Sequence, residues 1–189
     1  MKFGSHIETE TVQRLLDSST GGHRPAEELL ARGETFGRFR VEGVLGQGGM
    51  ATVYLGHRQG KNVAVKVLDP RRCKNPDEVK QFLREAQTMQ RIDHPNVVHF
   101  YEMGNQEGLG QYIAMEFVNG GAMHDLLKKR KGEPFEIEQA IDWFVQTCRG
   151  MKAAHRAGVI HRDLKPENVL VRASGHLVLA DFGVSKRLT

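Results

Sequence analysis

The stretch His161-Arg162-Asp163-Leu164-Lys165-Pro166-Glu167-Asn168 decides how this chain is read. It sets a carboxylate, two cations and an amide within eight residues, between the apolar runs Val159-Ile160 and Val169-Leu170-Val171. Short β-branched runs of this kind suit strands, so the octet reads as a polar loop held between two buried strand ends. Pro166 excludes a helix interior and biases Lys165 toward an extended backbone. Asp163, Lys165 and Asn168 are thus presented together from one constrained loop. A proton acceptor beside a cation and an oxygen ligand for a metal is equipment for moving a phosphoryl group onto a hydroxyl. Taken singly, each of these residues equally suits a solvated surface loop.

The octet resembles the catalytic loop of eukaryotic-type protein kinases, and its Lys165 follows the serine/threonine pattern. The resemblance implies an α+β fold: an antiparallel-sheet N-lobe with one helix, then a helical C-lobe. It implies that Asp163 accepts the substrate proton, Lys165 lies near the transferred phosphate, and Asn168 holds Mg2+. Further along, Asp181-Phe182-Gly183 follows a hairpin over Val169–Val171 and Leu177–Ala180. By the same resemblance Asp181 is the second metal ligand, and Phe182 stacks with His161, Met89 and Phe100. His161 is read as a packing and hydrogen-bonding residue, and Arg162 as the partner of a phosphorylated residue, with Ser185 and Thr189 as candidates.

Upstream, Leu45-Gly46-Gln47-Gly48-Gly49-Met50-Ala51 is a glycine-rich turn, followed by Thr52-Val53-Tyr54-Leu55. The β-branched and aromatic residues after the turn favour a strand, hence a hairpin, over the helix that a dinucleotide fingerprint needs. Glycines let backbone N–H groups approach phosphate oxygens. Ala51 stands where the kinase pattern has its third glycine. In the strand expected over Asn62–Leu68, alternation puts Ala64 and Lys66 on one face and Val63, Val65 and Val67 on the other. A lysine inside such an apolar strand either faces solvent or meets an anion. The next helix opens with Asn75 as cap, Pro76 and two acids, and its apolar stripe is Val79, Phe82, Leu83, Ala86 and Met89. Glu85 edges that stripe, 19 residues after Lys66, and the resemblance pairs the two. It also implies an ATP site comprising Leu45–Ala51, Val53, Ala64, Lys66, Met115, Glu116, Val118 and Leu170.

Two more strands are expected at His94–Val98 and Tyr112–Val118, then a crossing at Asn119-Gly120-Gly121. Helices are expected near His124–Lys131 and from Ile137 to about Ala157. In the latter, Ile141, Phe144, Val145, Cys148 and Met151 share one face and are assigned to the core. The resulting division is an acid-rich, mostly disordered leader (1–35), an N-lobe (36–118), and a hinge with a partial C-lobe (119–189).

At 189 residues with 26% charged, the composition is that of a globular protein. No apolar run approaches the roughly 20 residues of a membrane span. Cys73 and Cys148 have no metal-ligand spacing, which suits reduced thiols in the cytoplasm. The net charge of +4 is scattered and not interleaved with aromatics, so nucleic acid is not expected as a partner. The expected function is transfer of the ATP γ-phosphate to a protein Ser/Thr hydroxyl. With only six residues after Gly183, little or no activity of the chain alone is expected, and the apolar row of the long helix is expected to be partly uncovered. The alternatives are a non-catalytic nucleotide-binding fragment and a small-molecule phosphotransferase.

Overall fold

The computed structural model describes residues 30–182 and the backbone of a two-residue strand at Lys186–Arg187. The leader up to residue 29, Gly183, Ser185 and Thr189 lie outside the described residues. The chain divides into two units: unit 1 runs to Gln87 and includes Phe100–Phe117, and unit 2 comprises Thr88–His99 and Val118 onward.

Unit 1 is built on a six-stranded antiparallel sheet of β1 (Thr35–Phe36), β2 (Phe39–Gln47), β3 (Ala51–Arg58), β4 (Lys61–Leu68), β5 (Phe100–Gln106) and β6 (Gly110–Glu116). Their order is β1-β2-β3-β4-β6-β5. Gln59 (φ 50°) and Gly60 (φ 78°) make the two-residue turn that sets Arg58 opposite Lys61; such left-handed turns match strand twist. Strand alternation then fixes both faces. Val41, Tyr54, Val63, Val65, Val67, Tyr112 and Ala114 form one buried cluster with Leu30, Phe36 and Phe39, and the Phe36 ring meets Tyr112 edge-on at 5.2 Å. Ala64 and Lys66 take the other face, across from Met115 and Ile113. Within the compositionally distinct region 1–35, Leu30 is buried in this cluster and Thr35 pairs with Arg40.

Helix α1 (Pro76–Gln90) starts where Asn75 Oδ1 accepts the Asp77 N–H at 3.0 Å. Its residues Val79, Phe82, Leu83, Ala86 and Met89 are all buried. The expectation of a strand at His94–Val98 is corrected: this stretch is a turn, closed by the Val97 N–H on the His94 carbonyl at 2.9 Å, with one bridge from Val97 to Leu179. Pro95 lacks the N–H a ladder needs and disrupts the run. The strand of that region lies further on, at Phe100–Gln106.

Unit 2 contains α2 (Met123–Lys129), α3 (Ile137–Arg156) and two short antiparallel pairs, β7 (Val159–Ile160) with β10 (Lys186–Arg187), and β8 (Val169–Val171) with β9 (Leu177–Leu179). The assignment of the α3 apolar row to the core is also corrected. Ile137, Ile141 and Phe144 are 76%, 58% and 69% exposed, and Cys148 is exposed too. The helix instead buries Gln146, Gly150 and Ala154. Gly150 permits this close seating: a Cβ there would lie 2.6 Å from the Asn96 carbonyl oxygen and 2.9 Å from Leu179 Cδ1. Gln146 then serves as a polar staple. Its Oε1 accepts from the Leu177 N–H at 2.8 Å and from Asn96 Nδ2 at 3.1 Å, satisfying buried donors that an aliphatic side chain would strand.

Candidate active site

In unit 1 a strand lysine meets a helix carboxylate. Lys66 Nζ contacts both Glu85 oxygens, at 2.7 and 2.9 Å. β4 supplies the lysine on the face opposite the valine cluster, and α1 supplies the carboxylate beside its buried stripe. Glu85 is almost wholly buried, and an isolated carboxylate there would be costly, so the Lys66 cation offsets its burial. Val53 lies across from both Gly46 and Lys66, and Ala64 lies across from Met115, so these residues share one face of the sheet. Glu116 pairs with Val63 and Phe100 with Met115. The turn Gly46–Ala51 joins β2 to β3. The Gly48 N–H closes it on the Ala51 carbonyl at 2.9 Å, with the approach residue Leu45 45% exposed. Ala51, at the departure from the glycine pattern, is buried at the start of β3.

Sequence reasoning missed Arg72. It lies on a 3-10 turn (Arg72–Lys74) and donates from Nε to the Gly49 carbonyl at 2.6 Å. Only the turn-forming Asp69-Pro70 before it could have signalled its return toward the glycines.

Unit 2 carries the His161–Asn168 loop. β7 delivers His161 and a 3-10 turn (Pro166–Asn168) leads into β8, with Pro166 starting the turn after the extended Lys165. Lys165 Nζ pairs with Asp163 Oδ2 at 2.7 Å. The Asn168 amide donates to the Asp163 carbonyl at 2.8 Å and to Oδ2 at 3.2 Å. The Lys165 hydrogen bond, supported by its charge and by Asn168, holds the Asp163 carboxyl below the usual carboxylate range. The same bond holds the Lys165 ammonium above the usual lysine value. The Asp181 carboxylate is close enough to oppose the first shift and reinforce the second.

His161 is fully buried. Its Nε2 donates to the Ala180 carbonyl at 3.0 Å, which leaves Nδ1 to accept the Asp163 N–H at 3.4 Å. Its ring lies 4.7 Å from that of Phe182. Arg162 and Asp181 have φ of 68° and 59°, values L-residues adopt rarely and at some cost. Val118 is buried, Met89 is buried, and Leu170 faces Val178 in the β8–β9 pair.

Among the described residues no cluster of three or more His, Cys, Asp or Glu could cage a metal. Asn168 commits its NH2 group to Asp163, which leaves its amide oxygen as a donor, and Asp181 adds a carboxylate. Two hard oxygens suit Mg2+, which keeps waters and arrives with phosphates, and do not suit a resident thiolate- or imidazole-bound ion.

The protein kinase domain family matches residues 39–189. Serine/threonine-protein kinase PknA of Mycobacterium tuberculosis is 36% identical over 156 residues, which is 79% of this chain and 36% of that protein. A probable serine/threonine-protein kinase, pknA2, of Bifidobacterium longum is 37% identical over 155 residues, 79% of this chain and 20% of the relative. The crystal structure of the Mycobacterium tuberculosis PknI kinase domain superposes with a TM-score of 0.70 at 29% identity, covering 83% of this chain and 64% of that one. The chain thus spans about a third or less of the length of these two relatives. With the family matched over most of its length, the chain belongs to the protein kinase domain family.

Proposed function

We propose that this protein is a serine/threonine protein kinase that binds MgATP and transfers the γ-phosphate to a Ser or Thr hydroxyl of a protein substrate. The observation that carries this reading is the Asp163–Lys165–Asn168 cluster, closed by contacts of 2.7 and 3.2 Å on one short turn. Asp163 accepts the proton of the attacking hydroxyl. Its depressed pKa keeps it ionised at neutral pH, so it orients the hydroxyl and takes the proton only as the oxygen becomes acidic in transfer. Lys165 neutralises charge on the moving phosphoryl group. Asn168 and Asp181 would hold the Mg2+, which would neutralise charge on the nucleotide phosphates. Lys66, fixed by Glu85, and the N–H groups of the glycine turn bind phosphate oxygens. The backbone at Glu116 and Val118 meets the adenine edge, with Leu45, Val53, Ala64, Met115 and Leu170 as its apolar walls. Among the described residues no helix is long and apolar enough to cross a membrane, and a need for ATP fits action in the cytoplasm.

The test is calorimetric titration with MgATP, followed by labelled-phosphate transfer to a generic Ser/Thr peptide. We expect saturable MgATP binding that is lost in Lys66→Ala and weakened when EDTA removes the metal. Any transfer falls at least about a hundredfold in Asp163→Ala. Transfer that survives Asp163→Ala, or no binding of MgATP, overturns the reading.

A further inference from the structure

Arg72 connects the glycine turn to the start of α1. Its Nε donates to the Gly49 carbonyl at 2.6 Å while its Nη1 donates to Glu78 Oε2 at 2.8 Å. Beside it, the Asp69 backbone N–H donates to the Met50 carbonyl at 2.9 Å. Two successive carbonyls at the tip of the turn are therefore taken by the segment 69–72. A planar guanidinium can serve both partners because its Nε and Nη donors leave along different edges of a rigid fork.

Peptide planarity gives this anchoring a consequence. The Gly49 carbonyl shares a trans peptide with the Met50 N–H, and the Met50 carbonyl shares one with the Ala51 N–H. Holding both oxygens toward residues 69–72 sends both N–H groups the opposite way. Glu78 also precedes Glu85 by seven residues, nearly two helical turns, so both carboxylates leave the same side of α1. One grips Lys66 and the other grips Arg72.

We propose that Arg72 is a positioning residue that aims the glycine-turn N–H groups at the nucleotide phosphates and makes that aim depend on α1 through Glu78. The inference rests on the reading of this turn as the ATP phosphate loop. Arg72 itself touches no nucleotide. It acts by removing the freedom of a turn whose glycines would otherwise sample many orientations, and its glutamate partner ties that order to the helix that also supports Lys66.

The experiment combines calorimetric MgATP affinity with amide exchange of the nucleotide-free protein. Arg72→Ala should weaken MgATP by roughly three- to tenfold, the loss expected for a partly exposed charge-assisted contact. Glu78→Ala should weaken it less, and should add nothing further in the Arg72→Ala background. Arg72→Lys should not restore affinity, since an ammonium cannot span both acceptors. Without nucleotide, the Gly48 and Asp69 amides should exchange several-fold faster in Arg72→Ala. Unchanged affinity with unchanged exchange overturns the proposal, as does full rescue by lysine, which would reduce Arg72 to a general positive charge. Additive losses from Arg72 and Glu78 overturn the link to α1. If the unaltered protein fails to bind MgATP, the functional reading fails instead, and the exchange rates alone decide whether Arg72 orders the turn.

Discussion

The Lys66–Glu85 and Lys165–Asp163 pairs both close to 2.7 Å, yet their lysine and carboxylate side chains are 14% and 1% exposed in the first and 47% and 38% exposed in the second. Distance alone would rank them equal. Burial separates them, because water screens the second pair and not the first. In unit 1 each charge offsets the other's burial, so the pair holds or fails as a unit. In unit 2 either group can exchange its partner for water or for a substrate at little cost. A fixed anchor and an exchangeable pair are different devices.

The largest expected effect breaks the buried pair. Glu85→Ala removes the carboxylate that Lys66 contacts within a largely buried pair, which should cost about 3–5 kcal/mol of unfolding free energy in a urea titration. A loss below about 1 kcal/mol would mean that the ammonium reaches water unaided, and the contrast with unit 2 would collapse.

A smaller effect sharpens the same contrast. Replacing both partners by apolar residues of similar length, Lys66→Met with Glu85→Leu, should recover most of that stability, because no buried charge is left unpaired. MgATP binding should stay lost, since neither replacement side chain offers a charge to a phosphate. Recovery of stability without recovery of binding would locate the pair's value in ligand chemistry and not in the fold. If the double variant is as unstable as Glu85→Ala, the pair would instead be structural.

Burial also explains what could and could not be read from the sequence. The faces of β4 were legible because period-two alternation carries through Val63, Val65 and Val67, and Lys66 on the other face required solvent or an anion. The start of α1 was legible from Asn75-Pro76 with two acids after it, a local signal with a local cause. Strand β5 was not: Phe-Tyr-Glu-Met-Gly-Asn-Gln is only partly buried along its whole length, so its polar and apolar residues follow no clean alternation. The attractive run His94–Val98 took its place in the reading although Pro95 argued against a ladder. On α3 the periodicity was real, but the row it marked is the uncovered one among the described residues, as expected of a partly uncovered stripe and not of a core. The helix seats itself on Gly150 and Ala154, where small side chains allow close approach, and holds Gln146 by hydrogen bonds. Apolar spacing counts methyl groups and is blind to both effects. Of the candidate site, the acid, base and amide residues were visible as types at spacings, whereas Arg72 was invisible because its partner is a backbone carbonyl 23 residues earlier.

For the exposed pair, Lys165→Ala should leave the urea midpoint unchanged within error. Chemical unfolding is a coarse probe here, and a large loss would mean the pair is held far more rigidly than its exposure allows.

The smallest effect is a shift in one titration, and its sign follows from the pairing. Asp163 in the folded chain binds its last proton below the ordinary value near ~3.9. Its contribution to stability is therefore present above that ordinary value and is lost as pH falls through the depressed one. Lys165 is raised, so its contribution is present below the ordinary value near ~10.4 and is lost as pH rises through the raised one. Between these limits both groups stay charged, and this pair adds no pH dependence to stability at neutral pH. Carboxyl NMR of Asp163 should show an inflection below the ordinary aspartate value that moves up in Lys165→Ala and moves partway up in about 1 M salt. The salt response separates this pair from Lys66–Glu85, whose buried charges should barely sense the same salt. An inflection that ignores Lys165→Ala would assign the depression to Asn168, which donates to the same oxygen. Asp163 would then be tuned by a neutral amide, and Lys165 would be left wholly available to the phosphate.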